Sequence, residues 1–229
     1  MTKKKSNMYA DSKKQWNVFV GCEFDCTYCR KSFQAQMKRQ LHRCRLCYDY
    51  TPHFHQKRLF DSLPRTKGDE FIFCSASGDI SFAKPSWITM ILQRMIELPQ
   101  KTFLLQSKNP LVFQIYEEMI PDNVLIGTTI ESNRDYLVSK APKVFDRVKA
   151  MRDLTPRLRK VITVEPIMDF DHDLFTIWIR SIKPERVYVG YDTKKSELEQ
   201  PRLEKTEALI KRLSTFTKVK RKYIPEVLK

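Results

Sequence analysis

Residues 70–79 read Glu-Phe-Ile-Phe-Cys-Ser-Ala-Ser-Gly-Asp, a short β-rich run that leads directly into a polar turn. Runs of this kind are typical of strands. They recur along the chain and predict six strands, at residues 17–21, 70–75, 102–106, 124–128, 161–165 and 186–190. Helical patterns separate them at residues 85–97, 110–119, 141–154, 173–182 and 203–214. The alternation predicts an α/β fold with a parallel sheet and right-handed crossovers, as an open barrel or a doubly wound sheet.

A cysteine triplet stands just after the first predicted strand. Cys22, Cys26 and Cys29 have the spacing C-x3-C-x2-C. Three thiolates on one tight loop can hold three irons of a cubane [4Fe–4S] cluster and leave the fourth iron without a protein ligand. A structural zinc site needs four ligands, and this loop carries no fourth cysteine or histidine. We therefore interpret the triplet as an iron–sulfur motif; a zinc knuckle or a chance cluster of thiols is the alternative.

With this triplet the chain resembles the radical S-adenosylmethionine superfamily, and Tyr28 stands where that superfamily carries an aromatic residue. The resemblance implies that S-adenosylmethionine binds the open iron and is cleaved, on one-electron reduction, to methionine and a 5′-deoxyadenosyl radical. It also implies an open (β/α)6 partial TIM barrel. More narrowly, residues 16–225 resemble a small prokaryotic and phage-associated subfamily and, distantly, spore photoproduct lyases.

Polar residues follow nearly every predicted strand, at the end where barrel enzymes carry their active sites. The resemblance implies that Asp79, in a Ser-Gly-Asp turn where the superfamily usually has Gly-Gly-Glu, accepts the amino group of S-adenosylmethionine. The predicted cofactor-binding residues at these strand ends are Ser75, Ser77, Gly78, Asp79, Lys108, Thr129, Glu131 and Glu165. The candidate catalytic residues are Lys108, Glu165 and Tyr191. A salt bridge with an arginine at the barrel rim is the alternative role for Glu165.

A second group of metal-ligand residues lies in the insertion after strand 1. Cys44 and Cys47 form a C-x2-C pair, and His53 and His55 follow on an extended stretch, with His42 as an alternate ligand. Two thiolates and two imidazoles make a closed tetrahedral zinc set, which would order a segment poor in apolar residues. An auxiliary iron–sulfur cluster and no metal at all are the alternatives. We expect this metal to bind independently of the first site.

The chain of 229 residues is long enough for one domain with a substantial core. We expect a barrel over residues 16–225, the metal-binding insertion at residues 30–66 and a basic tail at residues 1–15. Most cysteines cluster as metal ligands do, and neither a membrane-spanning stretch nor a secretory signal is evident. These features predict a cytoplasmic enzyme that draws electrons from an external one-electron reductant and does not bind membranes.

The formal net charge is +15, with basic residues concentrated at residues 3–14, 30–58 and 211–222. Such a surface attracts polyanions, so nucleic acid is the expected partner and a nucleic acid base or a nucleotide-derived molecule the expected substrate. The basic residues expected to contact phosphates are Arg43, Arg45, Lys57, Arg58 and those of residues 218–222. The alternative is that these basic residues form a solvated surface that binds no nucleic acid. A radical enzyme acting on a peptide or protein, and a non-enzymatic zinc protein that binds nucleic acid, are the alternative functions.

Overall fold

The computed structural model describes residues 8–30, 34–194 and 196–225, so the lysines at positions 3–5 lie outside the described residues. The strands are β1 (Ser12–Trp16), β2 (Phe19–Val20), β3 (His53–Phe54), β4 (Phe71–Cys74), β5 (Phe103–Gln106), β6 (Val124–Thr129), β7 (Arg159–Val164), β8 (Arg186–Val189) and β9 (Lys218–Arg221). The α-helices are α1 (Thr27–Cys29), α2 (Ala35–Met37), α3 (Arg45–Asp49), α4 (Pro85–Ile96), α5 (Leu111–Ile115), α6 (Val144–Asp153), α7 (His172–Ile182) and α8 (Leu203–Leu213).

Seven of the described strands form one parallel sheet in the order β1-β4-β5-β6-β7-β8-β9. Apart from the β2–β3 ribbon, this order follows the chain and never reverses, which excludes a doubly wound sheet, because that fold needs a switch in winding direction. The sheet is a curled half-barrel whose edge strands β1 and β9 do not pair with each other. The predicted α/β fold with an open partial barrel is confirmed at this level.

Two edge strands differ from the prediction. The first strand of the sheet covers Ser12–Trp16 and not residues 17–21, and the seventh strand, β9, was not predicted at all. Both contain two lysines. An edge strand has one neighbour and is partly exposed, so its sequence lacks the apolar run that marks the central strands. In β9 the end residues Lys218 and Arg221 are exposed, and Val219 and Lys220 between them are half-buried.

The sheet separates two apolar cores because successive side chains of a strand point to opposite faces. On the outer face, helices pack on the sheet, and α4 contributes Ile88, Ile91, Leu92 and Met95 at helical spacing. On the inner face, Phe71, Phe73, Leu104, Leu125, Val161 and Tyr188 surround Tyr9. The Tyr9 and Tyr188 rings meet edge to face at 4.7 Å between centroids. This inner core fills the interior below the carboxyl ends of the strands and leaves polar residues above it.

The described residues between β2 and β4 form short helices, turns and strand β3, which pairs antiparallel with β2. The pairing joins Phe19 to Phe54 and Val20 to His53. No helix in the described ranges is both long and apolar enough to cross a membrane.

Candidate functional site

The cysteine triplet occupies residues 22–29, here called the thiol loop, and two glycines set the position of this loop. The Gly21 amide donates to Ser77 O at 3.1 Å, and the Asp79 amide donates to Gly21 O at 3.0 Å. Gly21 has φ +103°, which side-chain-bearing residues rarely adopt, and a Cβ on Gly78 would lie 2.8 Å from Gly21 O. The contact between these glycines holds the thiol loop against the turn that follows β4.

Three thiols of the loop differ in environment. Cys26 is buried, whereas Cys22 and Cys29 are partly exposed. Cys29 donates a hydrogen bond to Cys26, which lowers the pKa of Cys26 and raises that of Cys29, and burial raises the pKa of Cys22 to about 12. The three sulfurs are not among the described groups whose ligand atoms converge on one point. In a [4Fe–4S] cluster each thiolate binds a different iron, so the chemistry of this donor set, three free cysteine thiols on one loop, matches three corners of a cubane.

Beside the thiol loop, four side chains form a strand-end network in which Glu131 and Arg147 are buried and Tyr28 and Lys108 are half-buried. Lys108 Nζ donates to Glu131 Oε1 at 2.6 Å and to Cys26 Sγ at 3.3 Å, and it also contacts the Tyr28 hydroxyl. Tyr28 donates to Glu131 Oε1 at 2.5 Å, while Arg147 donates to Glu131 Oε2 at 2.8 Å. Burial alone would raise the pKa of Glu131, but Lys108 and Arg147 outweigh it and lower the pKa to about 2. Glu131 is therefore an ionised anchor that ties the thiol loop to the ends of β5 and β6.

Asp79 lies next to this network and is also buried. Its Oδ1 accepts from the Ser107 hydroxyl at 2.6 Å and from the Ser81 hydroxyl at 2.8 Å, and its Oδ2 accepts from the Lys108 amide at 2.8 Å. Burial raises the pKa of Asp79 despite these donors. The carboxylate thus fixes the backbone at two strand ends, and an incoming amino group would have to share its oxygens with these donors.

Glu165 lies in the interior of the half-barrel, where it forms an ion pair with Lys222. The alternative expected for Glu165 was a salt bridge with an arginine at the barrel rim. The structure shows a salt bridge with a lysine instead. Lys222 Nζ lies 4.6 Å from the centroid of the Tyr9 ring. Burial raises the pKa of Glu165 more than Lys222 lowers it. This buried pair closes one side of the polar interior.

A layer of neutral polar groups lies between this pair and the strand-end network. The Tyr9 hydroxyl hydrogen-bonds Gln106 Oε1 at 2.5 Å and Thr163 Oγ1 at 2.7 Å. Gln106 Nε2 donates to Thr129 Oγ1 at 3.0 Å. The side chains of β5, β6 and β7 thus present donors and acceptors at the carboxyl edge of the sheet.

The remaining predicted site residues lie in two places. Ser75 and Ser77 are buried in the turn after β4, where Ser75 has φ +53° and Ser77 O accepts the Gly21 amide. The Tyr191 hydroxyl shares a hydrogen bond of 2.6 Å with Thr206 of α8. The two serines therefore belong to the seat of the thiol loop, whereas the Tyr191 hydroxyl is engaged by α8 and is not brought to the strand-end network.

The second metal-ligand group lies on residues 44–55, here called the Cys/His hairpin. The ligand atoms of Cys44, Cys47, His53 and His55 all lie within 4.8 Å of one another. His55 Nε2 is 3.2 Å from Cys47 Sγ and 2.8 Å from His53 Nε2. Tetrahedral zinc with ordinary bond lengths separates such ligands by about 3.3–3.8 Å. The two His55 separations are shorter than this range, whereas His53 Nε2 lies 3.5 Å from Cys44 Sγ and 3.4 Å from Cys47 Sγ, so the four atoms surround a single-ion position. His42 is exposed and lies outside this group.

Local contacts prepare the Cys/His hairpin for a metal ion. His53 Nδ1 hydrogen-bonds Thr51 O at 2.7 Å, which turns Nε2 towards the other ligands, as a supporting partner does for a metal-binding imidazole. The Cys47 amide donates to Cys44 Sγ at 3.4 Å. Burial, together with Arg58 and His53, lowers the pKa of His55 to about 4, so its imidazole is neutral at physiological pH. The group can hold a metal ion.

The family model described as "Protein of unknown function (DUF5131)" matches residues 8–211. The chain belongs to this family. No curated protein shows significant sequence similarity to it. The family match covers the thiol loop, the strand-end network and the Cys/His hairpin.

Solved structures of spore photoproduct lyase have a similar fold. One, of a cysteine variant with dinucleoside spore photoproduct, has a TM-score of 0.57 at 12% identity and covers 88% of this chain and 61% of that one. Another, with bound AdoMet and dinucleoside spore photoproduct, has a TM-score of 0.55 at 13% identity, over 88% of this chain and 61% of that one. This chain thus spans about three fifths of the length of those lyases, and at such identity the likeness establishes the fold alone.

Two residues of the site could not be identified from the sequence. Arg147 stands in the helical stretch Val-Phe-Asp-Arg-Val-Lys, where an arginine ordinarily faces solvent, yet it is 3% exposed and bound to Glu131. Lys222 ends a basic run that resembles a phosphate-binding patch, yet it points inward to Glu165. Only the packing of α6 and of the chain after β9 places these cations inside.

Proposed function

We propose that the chain is a radical S-adenosylmethionine enzyme that acts on a nucleic acid base or a nucleotide-derived substrate. One observation carries the proposal: three thiols without a converging fourth ligand lie at the carboxyl edge of a parallel half-barrel, against the strand-end network that contains Lys108 and Glu131. When bound to Cys22, Cys26 and Cys29, a [4Fe–4S] cluster would supply one electron to S-adenosylmethionine and cleave it to methionine and a 5′-deoxyadenosyl radical.

In this proposal the side chains bind, orient and shield the cofactor. Lys108 supplies a cation beside Cys26, and Glu131 holds that cation in place. Asp79, at the turn that seats the thiol loop, offers carboxylate oxygens to an amino group, with Ser75, Ser77 and Gly78 as its support. Thr129 offers a hydroxyl to the ribose. Asp79 and Glu131 are buried, so they present their carboxylates where water is largely excluded, as radical chemistry requires.

The substrate class rests on two observations. The fold is that of lyases solved with a dinucleoside, and the chain carries a net charge of +15. The interior beyond the cofactor residues contains Gln106, Glu165 and Lys222, which can hydrogen-bond the edge of a base. We expect the substrate to enter on this side.

Arg43 and Lys57 of the insertion are better placed to contact phosphates than the cations of β9, although Arg45 of the insertion is paired with Asp49. Lys218 and Lys220 are paired with Asp69, and Arg221 is paired with Glu207. By contrast, Arg43 and Lys57 are exposed, and no carboxylate in the described ranges forms an ion pair with them. We therefore assign the phosphate contacts to the insertion.

The Cys/His hairpin is proposed to bind zinc as a structural metal. Four ligands close the coordination shell, and two imidazoles with two cysteine sulfurs match the preference of zinc. Both ligand sets need reduced thiols, so the proposal places the enzyme in a reducing compartment such as the cytoplasm.

Anaerobic reconstitution with iron and sulfide, followed by dithionite and S-adenosylmethionine, tests the proposal. We expect a brown protein that releases 5′-deoxyadenosine, measured by liquid chromatography. The Cys74→Ala variant is the matched control, because Cys74 is a buried thiol of β4 outside both ligand sets. A colourless protein that binds zinc and nucleic acid but releases no 5′-deoxyadenosine would favour the non-enzymatic alternative. Mass analysis of DNA and RNA incubated with the active enzyme would identify the modified base.

A further inference from the structure

The Cys/His hairpin and the thiol loop are joined through backbone contacts, although their ligand sets are separate. We infer that metal binding at Cys44, Cys47, His53 and His55 positions the thiol loop. The inference rests on the proposed function for what the loop holds, but the contacts that carry it are independent of any cluster. It also replaces the expectation that the two metal sites act independently.

The first link is the β2–β3 ribbon. Val20, which precedes Gly21 and the thiol loop, pairs directly with the ligand His53. The amide of the ligand His55 donates to Val18 O at 2.7 Å. A ligand held by a metal therefore also holds the strand that enters the thiol loop.

The second link is a backbone contact at Gly21. A Cβ at this position would lie 2.4 Å from both Thr51 C and Thr51 O and 2.5 Å from Pro52 N. Thr51 O is the atom that hydrogen-bonds His53 Nδ1. Gly21 is thus held between the Cys/His hairpin on one side and the Ser77–Asp79 turn on the other.

The third link is Tyr50, the left-handed residue that ends α3. Its side chain packs against the cluster formed by Val20, Met37 and the ligand Cys47. Cys22, Tyr50 and Pro52 also line one cleft of about 240 Å³. The hairpin therefore forms a wall of the space beside the thiol loop.

The two pairs of the β2–β3 ribbon have different anchors. Phe19 and Phe54 pack on Trp87, with Phe54 stacked at 5.5 Å between centroids. Val20 packs in a small cluster with Met37 and the ligand Cys47. Metal loss should therefore loosen the Val20 side, next to the thiol loop, while the Phe19 side stays packed.

Amide hydrogen exchange on the full chain, with iron left out, tests the inference. The reporters are the amides of Gly21 and Asp79, and the amide of Ile72, which donates to Thr102 O inside the structure, is the internal reference. In wild type, removal of zinc with a chelator should raise exchange at Gly21 and Asp79 by about tenfold or more and leave Ile72 unchanged, since local opening is separable from global unfolding.

Three variants distinguish the effect of the bound metal from the effect of the substituted side chains. Cys44→Ala should bind no zinc and exchange as the zinc-free wild type does. His55→Cys keeps four ligands and should restore zinc and protection, and His42→Ala should behave as wild type. Failure of wild type to bind zinc, or equal protection with and without zinc, would overturn the inference.

Iron loading then separates this inference from the proposed function. We expect zinc-free Cys44→Ala to take up less than about half of the wild-type iron, because its loop is no longer held. Full iron in that variant would overturn the inference and leave the proposed function intact. If zinc-loaded wild type takes up no cluster while the Gly21 amide still responds to zinc, the proposed function fails and the positioning role stands.

Discussion

The thiol loop and the Cys/His hairpin both gather sulfur ligands, yet they differ in how the ligands meet. In the hairpin four ligand atoms converge within 4.8 Å, and a hydrogen bond to Thr51 orients His53. In the thiol loop three thiols do not converge, and Lys108 and Glu131 lie beside them. A closed set next to backbone suits a structural ion, whereas an incomplete set next to buried charges suits a reactive cofactor.

The largest expected effect comes from the thiol loop itself. Cys26→Ala should lose its iron and reduce 5′-deoxyadenosine formation to background, because a cubane held by two thiolates is not retained. The same variant should keep its zinc, since the Cys/His hairpin has all four ligands. Metal analysis of both elements checks this, with Cys74→Ala as the control; normal iron and cleavage in Cys26→Ala would erase the distinction between the two sites.

The second-largest effect is expected in the strand-end network, which lies beside the thiol loop and not beside the Cys/His hairpin. Glu131→Gln leaves Lys108 and Arg147 without their carboxylate, and breaking such a buried pair costs about 3–5 kcal/mol of unfolding free energy. Zinc content should stay normal. Denaturant titration measures the loss, and Glu97→Gln, in an exposed pair with Arg94, should cost less than about 1 kcal/mol. Similar losses of unfolding free energy in both variants would mean that the strand-end network stabilises the fold no more than an exposed ion pair does.

Acid titration gives a second test of the same carboxylate. The folded pKa of Glu131 is about 2, below its unfolded value of 4.5. Its contribution to stability is therefore complete above pH 4.5 and is lost as the pH falls towards 2. In Glu131→Gln this part of the acid sensitivity should disappear; an unchanged dependence between pH 4.5 and 2 would contradict the buried ion pair.

The contact between Gly21 and Gly78 should have a smaller effect. A Cβ on Gly78 meets Gly21 backbone atoms at 2.8 and 2.9 Å, so Gly78→Ala should cost about 1–3 kcal/mol and lower iron uptake. Gly68→Ala is the control, because Gly68 has positive φ but no atom within 4 Å of the added Cβ. Thermal unfolding and iron analysis compare the two, and equal iron content in both would show that the glycine contact does not seat the thiol loop.

The smallest effect concerns the basic surface. Replacing Arg43 and Lys57 with Gln should flatten the dependence of log affinity for nucleic acid on log salt by about 0.7–0.9 for each phosphate that is no longer neutralised. Lys218→Gln, in which an ion-paired lysine of β9 is replaced, should leave the slope unchanged. Titrations with single- and double-stranded DNA and RNA at several salt concentrations measure the slope for both variants. If only Lys218→Gln changes the slope, the phosphates contact β9 and not the insertion.

The central strands were predictable because each is a β-rich run that ends in a polar turn. The residues of β4, β5, β6, β7 and β8 fall within two residues of the predicted bounds. The edge strands β1 and β9 were not predictable. Because an edge strand is partly exposed, it can contain lysines, and these interrupt the apolar run by which a strand is recognised. Sequence periodicity could not choose between a barrel and a doubly wound sheet, because that choice depends on strand order.

For the site, residue type was informative where the backbone brings neighbours in sequence together. Cys44 and Cys47 are one turn apart, and His53 begins the short strand β3 with His55 directly after it, so the convergence of the four ligands follows from local geometry. The partners of Glu131 and Glu165 come from distant elements, and no local pattern identifies Arg147 or Lys222. Tyr191, predicted from its position after a strand, instead bonds Thr206 on α8.

Electron paramagnetic resonance of the reduced, anaerobically reconstituted protein tests the central claim most directly. A [4Fe–4S] cluster with one iron free of protein ligands should change its signal when S-adenosylmethionine is added, because the cofactor then binds that iron. We predict such a change in wild type, together with equal amounts of methionine and 5′-deoxyadenosine. A cluster signal that S-adenosylmethionine leaves unaltered, without cleavage, would contradict the assignment of the thiol loop.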